Sequence, residues 1–505
     1  MKVECSVTPQ GKALEEQALP TRNLPNFVYV TLVAERNGHN MEFNFKTKAD
    51  REFIQGEIER FKASTRRRLM LTGEDYYAGR HDILHSGRTV IGEKGELEKA
   101  YNLPDNRMVD NQYRKLVNQK TNYLLGKPLA FRRTDDGSNE AFFERLNGIF
   151  NRPFMRLLKN VCKDAYNHGI AWLYPHYDNS VLKFKRLKAF EVIPGWKDSE
   201  HTELDYAIRV YEILDYSDSK TDGEILEKIE VFDASGIHYF ELNKRGELVA
   251  VSPYHLPYIT ASFPVNDGNY TSSNLEKPLE LRWSNGGKIP LIAFKRDSDE
   301  SPLIQGVKSL QDGLNSILSN FLNCMEEDPR NTLLVLVNYD GTDLGEFRRN
   351  LAAYGAVKVR SIDGQAGDLK TLRIEVNAEN YRTIIDIFKK AIVENGMGFD
   401  AKDSRLFGSP NQMNIQSMYS DVDLDANEIE TEFQASLSEL VWFVNGGRDF
   451  SGVEFIFNRD MLLNEGAVID NCVKSLGLLS RETVIANHPW VDDVLGEVHK
   501  IKESE

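Results

Sequence analysis

Two groups of side chains are spaced as chemistry would need. His81-Asp82-Ile83-Leu84-His85 puts two imidazoles at i and i+4, with Asp where a zinc protease helix carries Glu. No third ligand follows at a metal-like spacing. The shorter Asp would hold its carboxylate farther from a bound water, and Gly79 and Gly87 bracket the segment too closely for a long helix. Asp421, Asp423, Asp425 and Glu432 match positions 1, 3, 5 and 12 of a calcium loop, but Ala426 stands where that loop needs Gly. Val422, Ala426 and Ile429 continue an apolar helical stripe through the same stretch. It is therefore expected to be helix, with Asp421, Asp425, Glu428 and Glu432 as an acidic face turned to solvent or to a channel. The chain has no GxxxxGK[ST] and no GxSxG, and no Cys or His grouping suited to nucleophilic catalysis. No catalytic residues, no cofactor and no metal site are expected. Arg66-Arg67-Arg68 is read as a solvated helix end, or as a contact for acidic neighbours or nucleic acid.

The elements around these residues are clearer than the chemistry. Ser301-Pro302 is a good helix start, and apolar residues recur at Ile304, Val307, Leu310, Leu314, Ile317, Phe321 and Met325 until Asp328-Pro329. That run is about 40 Å of helix. A second helix begins near Asn377, with Tyr381, Ile384, Ile385, Phe388 and Ile392 on one face, and stops at Gly396 and Gly398. Between them lies a small α/β insert: a strand at 332–337, a helix at 343–353, and strands at 356–360 and 371–376. Two antiparallel helices carrying a folded insert form a stalk with a head, which suits a part of a larger machine. The polar stalk residues Lys308, Asp312, Asn315 and Ser319 are free to look inward in such a machine. A Gly- and Pro-bearing loop follows, then the cleanest period in the chain: Ile415, Met418, Val422, Ala426, Ile429, Phe433, Leu437, Leu440 and Val444.

Upstream, a hairpin is expected at 26–45 and a helix at 48–71. Further helices are expected at 139–150 and 153–167. Short alternating segments at 171–176, 207–213, 228–232 and 237–241 indicate an antiparallel β region, to which a strand at 453–458 returns. Helical segments at 469–479 and 481–486 close the chain.

With 505 residues there is material for two to four domains. No apolar run reaches the length of a membrane span, and the first residues lack the apolar core of a secretory signal. Cys5, Cys162, Cys324 and Cys472 form no CxxC pair and are expected to be incidental thiols of a reducing cytoplasm. The formal net charge of −15 argues against a protein that grips DNA through a broad basic surface. It is compatible with a wall that DNA slides past.

Several segments in this order resemble one family. They are Tyr76-Tyr77-x-Gly79-x-His81-x-Ile83, Leu103-Pro104-x-Asn106-Arg107, Tyr123-x-x-Gly126-Lys127-Pro128 and Ile289-Pro290-Leu291-Ile292-x-Phe294. The helix–insert–helix block, Tyr419-Ser420-Asp421-Val422-Asp423-Leu424-Asp425-Ala426-Asn427, Phe457-Asn458-Arg459-Asp460 and Ser480-x-Glu482-Thr483 complete the set. From about residue 70 to 495 the chain resembles the portal proteins of tailed bacteriophages, of the type common in siphophages of Gram-positive hosts. The first 45 residues and the short C-terminal region depart from the pattern.

The resemblance implies an α+β portal-type fold: a mixed α/β wing (1–300), stem helices (301–328 and 377–397) flanking a small α/β clip (329–376), and a tunnel loop (398–414). A long helix with a returning wing strand (415–460) and a helical crown (461–505) follow. It also implies a homo-oligomeric ring, usually a dodecamer, at a capsid vertex of the virion, assembled in the host cytoplasm. Its partners would be the major capsid and scaffolding proteins, the terminase large subunit, a head-completion adaptor protein, and double-stranded DNA passing through the channel, with no membrane. Lys402, Arg405 and Asn411 on the tunnel loop are expected to touch DNA phosphates. Asp343, Glu346 and Arg349 on the clip helix are expected to dock the motor and adaptor. Rival readings are another ring or adaptor protein of the virion, and a metal-dependent hydrolase using Asp421, Asp423, Asp425 and Glu432.

Overall fold

Ser64 divides the first expected helix in two. It is extended (φ −68°, ψ 146°) and its side chain accepts from Arg67 N, so a new helix starts there. The result is α1 (Lys48–Ala63) and α2 (Thr65–Ala78), closed by left-handed Gly79 at φ 87°. The structure, a computed structural model, describes residues 48–505 without 92–94, 100–102, 134–139, 179–180, 216–222, 244–245, 257–287, 328–332, 338–367, 373–377, 401–411, 449, 451, 460–464, 487, 489–490, 492–496, 498–499 and 502–505. The expected hairpin at 26–45 lies outside the described residues. So do the clip helix with its strand at 356–360 and most of the tunnel loop.

After α2 come a short hairpin, β1 (Thr89–Ile91) with β2 (Leu97–Lys99), then α3 (Gln112–Leu125), β3 (Ala130–Arg133), α4 (Glu140–Ile149) and α5 (Arg152–His168). Asn151 caps α5 and Pro153 sits in its first turn, the features expected of a helix start there. The β region is antiparallel throughout and forms two sheets. In the first, β4 (Ile170–Asp178) pairs with β5 (Val181–Leu187) on one side and with β11 (Ile292–Lys295) on the other. The second is a meander of β6 (Val192–Trp196), β7 (Leu204–Asp215), β8 (Glu224–Asp233), β9 (Gly236–Leu242) and β10 (Leu248–Leu256), neighbours in that order. Ile54 and Ile58 of α1 pack on this sheet with Ile208, Ile229 and Phe240.

The two expected stalk helices are α6 (Ile304–Glu327) and α7 (Ala378–Asn395). They run antiparallel. Gly306 lies beside Asn395, Gly313 beside Phe388, and Phe321 beside Tyr381, so residue number rises along one as it falls along the other. Where the pair ends, β12 (Leu333–Val337) pairs antiparallel with β13 (Asp368–Leu372). The last expected strand of the insert thus begins at Asp368, earlier than the expected 371. The long helix α8 (Gln412–Val444) runs unbroken through 421–432, so the calcium-loop reading fails.

One expectation about topology is corrected. β14 (Val453–Ile456) does not join the large sheets; it pairs with β3, matching Phe455 to Phe131. That hairpin-sized sheet is held by aromatic packing of Phe131 and Phe455 with Phe143 and Phe150. The chain ends in α9 (Glu465–Ser475) and α10 (Arg481–Ala486). The main apolar core gathers the buried faces of α3, α5, α6 and α8. β11 lies against α8, where Phe294 meets Phe433 edge-on at 5.0 Å. Among the described residues no helix is long and apolar enough to cross a membrane.

Candidate functional site

One row of polar residues on α6 does not face outward. Gln311, Asn315, Ser319 and Asn323 are all buried, and they hold an extended segment that precedes α3. Asn323 Oδ1 accepts from Asn106 N (2.8 Å), Ser319 Oγ from Met108 N (2.9 Å), and Asn315 Oδ1 from Asp110 N (3.1 Å). Gln311 Oε1 accepts from both Gln112 N (3.0 Å) and Tyr113 N (3.1 Å), while its Nε2 donates to Asp110 O (2.8 Å). The geometry follows from two periods. Four residues of helix rise about 6 Å. Two residues of extended chain advance about 6.6 Å and present N–H groups to the same side. Side chains every four on the helix therefore meet amides every second residue on the strand. The expectation that Asn315 and Ser319 look into a channel is overturned, because backbone amides of the same chain occupy them. Lys308 and Asp312 are also committed: Lys308 pairs with Asp82 (2.6 Å) and Asp312 (2.7 Å), and Tyr76 donates to Asp312.

The same arrangement settles His81. The segment after it is a short 3-10 turn, Asp82–His85, and not a helix that aligns i with i+4. Asn315 Nδ2 lies 2.8 Å from His81 Nδ1, and His81 Nε2 lies 3.1 Å from Tyr76 O. Nδ1 thus accepts and Nε2 donates. The ring stacks on Tyr76 at 4.3 Å, and burial holds its pKa below the usual value. Both nitrogens are used, which leaves none for a metal.

A second junction fixes where the chain leaves α7. Gln119 of α3 clamps residue 399 on both sides, its Nε2 donating to Phe399 O (2.8 Å) and its Oε1 accepting from Phe399 N (3.2 Å). Lys120 Nζ donates to Met397 O at 3.0 Å. Phe399 stacks on Tyr419, which stacks on Tyr123. Gly398 lies against Leu116, where a Cβ would come within 2.5 Å of a Leu116 methyl. The chain leaving α7 is thus bound to α3 at 397–399, and α8 meets the same helix where Tyr419 stacks on Tyr123.

Lys120 is wholly buried and pairs with Asp425 of α8 at 2.8 Å. Asp425 also accepts from Tyr166 (2.8 Å) and sits 3.5 Å from Arg296. Burial pulls the Lys120 ammonium below its ordinary pKa, against the opposing pull of Asp425. Two residues away, Asp423 accepts from Tyr123 and pairs with Arg459 (2.9 Å), which also holds Glu430 (2.7 Å). Asp425 thus leaves the expected acidic face and becomes the counter-ion of a buried cluster joining α3, α5 and α8. Asp421 and Glu428 remain exposed.

Among the described residues, the one His/Asp/Glu group tight enough to hold a metal is Glu74, Asp164 and His168. Lys188 already sits between the two carboxylates, 2.9 Å from Glu74 and 3.5 Å from Asp164, and Arg186 pairs with Asp164 at 2.9 Å. The His168 and Lys188 hydrogen bonds pull the Glu74 carboxyl down to about 2. Protein cations fill the place a metal ion would take. Two arginines of the triplet are likewise absorbed, Arg66 pairing with buried Glu300 and Arg67 donating to Phe190 O (3.1 Å), while Arg68 stays exposed.

The residues expected to touch DNA, Lys402, Arg405 and Asn411, lie outside the described residues, as do Asp343, Glu346 and Arg349. Sequence reasoning missed Gln311, Asn323, Gln119, Lys120 and Arg459. The signal for the first two was the spacing of four polar residues inside an apolar helix.

Residues 62–505 match the sequence family described as "Phage portal protein, SPP1 Gp6-like". The chain is 25% identical over 457 residues to the portal protein of Clostridium phage phiCD119, covering 87% of this chain and 94% of that one. It is 25% identical over 446 residues to the portal protein of Bacillus phage SPP1, covering 86% and 83%. Among solved structures it is similar to a chain from the neck of an empty GTA particle, computed with C6 symmetry (TM-score 0.42, 11% identity, 79% of this chain and 94% of that one). It is also similar to a chain from the neck of a native GTA particle, computed with C12 symmetry (TM-score 0.35, 12% identity, 75% and 89%). The match over residues 62–505 takes in the α6 ladder, the α3 junction and the long helix α8 together, and the chain belongs to the SPP1 Gp6-like family of phage portal proteins.

Proposed function

We propose that this chain assembles into the portal ring at one capsid vertex of a tailed-phage virion, with twelve subunits around a channel for DNA packaging and ejection. The family match over residues 62–505 carries the reading. Apolar surface that the chain itself leaves uncovered supports it: Ile384 and Ile387 on α7, and Val473, Leu476, Leu478 and Leu479 around the end of α9. A neighbouring subunit would bury these residues. In this reading α6 and α7 are the stem, 329–376 the clip, 398–414 the tunnel loop, 461–505 the crown, and 1–300 with 445–460 the wing. Capsid and scaffolding proteins meet the wing, and the terminase and then the adaptor meet the clip. The hydrolase reading loses its support, because two of its carboxylates are spent on Lys120, Arg296 and Arg459. Negative-stain microscopy with mass measurement tests the ring. Closed rings of about twelve copies with an open hole are expected; a 57.6 kDa monomer at every salt concentration would count against it.

The tunnel loop and clip have separate tests. Arg405→Glu is expected to shorten the packaged genome without changing the ring, since it replaces brief phosphate attraction with repulsion. A full-length genome in that variant would sink the DNA-contact role of Lys402, Arg405 and Asn411. Alanine at Glu346 and Arg349 is expected to weaken motor binding to the ring. Unchanged binding would remove Asp343, Glu346 and Arg349 as the docking surface.

A further inference from the structure

The two sides of α5 differ in chemistry. Phe154, Leu158, Val161, Cys162 and Ala165 are buried in the main core. Arg152, Arg156, Lys159 and Lys163 follow one another at steps of four, three and four. At about 3.6 residues per turn they fall within an arc of about 60° turned away from that core, and they span about 16 Å of helix. Arg152 and Arg156 are exposed, and Lys159 and Lys163 are half-buried. Among the described residues none of these four side chains has an ion-pair or hydrogen-bond partner. The cations of the interior are different: Arg66, Lys120, Lys188 and Arg459 each hold a carboxylate.

The one carboxylate of α5, Asp164, is buried and held by Arg186 and Lys188. The outer side of the helix therefore carries a single sign of charge. On α7 the exposed residues Glu379, Arg382, Asp386, Lys390 and Glu394 alternate in sign, the ordinary pattern of a solvated helix. Acidic residues outnumber basic ones 77 to 62 in the chain, so a row of four unpaired cations runs against its composition. Like charges three and four apart weaken a helix, and a bound anion removes that penalty.

We propose that this face of α5 binds the phosphate backbone of double-stranded DNA, without regard to sequence, through Arg152, Arg156, Lys159 and Lys163. No large apolar side chain of α5 is exposed, and a protein partner would need such a patch at the centre of its contact. A phosphate backbone needs only the cations. One strand of a duplex presents a charge about every 3.4 Å along the axis, so a straight row meets several phosphates in any register. An acidic peptide would have to carry carboxylates at the matching spacing. Four contacts make a weak and salt-sensitive grip, as suits a chain of net charge −15 with no broad basic surface. The contact is separate from the one proposed for the tunnel loop, and it does not rest on the ring reading.

The test is fluorescence anisotropy of a labelled mixed-sequence duplex of about 20 base pairs with the full chain, in about 50 to 200 mM NaCl. Arg156→Gln combined with Lys159→Gln is expected to weaken binding about tenfold or more at the lowest salt. It should also make the slope of log K against log salt shallower by about 1.8, at about 0.9 per lost contact. Arg152→Gln combined with Lys163→Gln should do the same, so a folding defect in one pair does not decide the outcome. The charge-matched pair Arg51→Gln with Arg60→Gln lies on α1, among Asp50, Glu52, Glu57 and Glu59, and should leave affinity and slope unchanged. Circular dichroism and oligomeric mass are expected to be the same in all variants. The proposal is overturned if neither α5 pair lowers affinity and slope, or if the α1 pair lowers them equally. Displacement of the duplex by poly-glutamate at equal charge concentration would reassign the face to an acidic protein. A changed oligomeric mass in the α5 variants would reassign it to a seam between copies. A monomer that binds the duplex through α5 would uphold the inference while the ring reading fell.

Discussion

Asp425 shows how position outweighs residue type. It lies three residues after Val422 and four before Ile429, both fully buried, so the helical period alone puts it on the inward side of α8. Its charge suggested the opposite, and the partners that make burial tolerable, Lys120, Arg296 and Tyr166, lie on other elements that no local pattern connects to it. Removing one partner of a buried ion pair leaves the other charge without compensation, a cost of about 3–5 kcal/mol. Asp425→Asn is therefore expected to lower chemical stability by that order, with Lys120 and Arg296 left facing an uncharged amide. Asp421→Asn, on the exposed side of the same helix, should change stability by less than about 0.5 kcal/mol. Denaturant unfolding of the two variants decides it. Equal effects, or a stable Asp425→Asn, would show that the cluster is not what joins α3 to α8. A metal site built on the same carboxylates predicts no such split between the two positions.

At the level of elements, the sequence yielded what depends on local period. The bounds of α6, α7, α8 and α5 agree with the expectations to within a few residues, because each carries a long apolar repeat and clear stop signals. Pairing between distant segments was hidden. Nothing within 453–458 says that its partner is β3, and Ser64 was read as a helix interior although Ser is a preferred helix cap. The ladder on α6 was hidden for another reason: four polar residues spaced by four read as a wet face unless a partner with matching amide spacing is known. Its members carry unequal loads. Gln311 accepts from two amides and donates to a carbonyl, whereas Ser319 accepts from one amide. A buried backbone group stripped of its partner costs about 1–3 kcal/mol. Gln311→Leu should thus cost more than Ser319→Ala by a factor of about two. Amide exchange would locate the loss at Gln112 and Tyr113 in the first variant and at Met108 in the second. Uniform exchange in both would mean that the extended segment is held by something other than α6.

Across the whole molecule, charge and apolar surface pull on a ring in opposite directions. Each chain carries −15, so a dodecamer would hold −180 in formal charge. Neighbouring subunits repel one another over a range of about 30 Å at 0.01 M salt but only about 10 Å at 0.1 M. The surface available to hold copies together is apolar at Ile384, Ile387, Leu476 and Leu478, and apolar contacts are not weakened by screening. Raising the salt should remove the repulsion and leave the attraction. The ring fraction, measured by sedimentation at fixed protein concentration, is accordingly expected to rise between about 0.01 M and 0.3 M NaCl. In the proposed ring, contacts of a channel with duplex DNA would weaken over the same range, because they would depend on phosphate charge. Opposite salt responses for assembly and for DNA would fit an acidic wall that stays closed while the duplex slides. If rings instead fall apart as salt is added, the seams between copies are built from ion pairs, and the exposed apolar residues of α7 and α9 serve another partner.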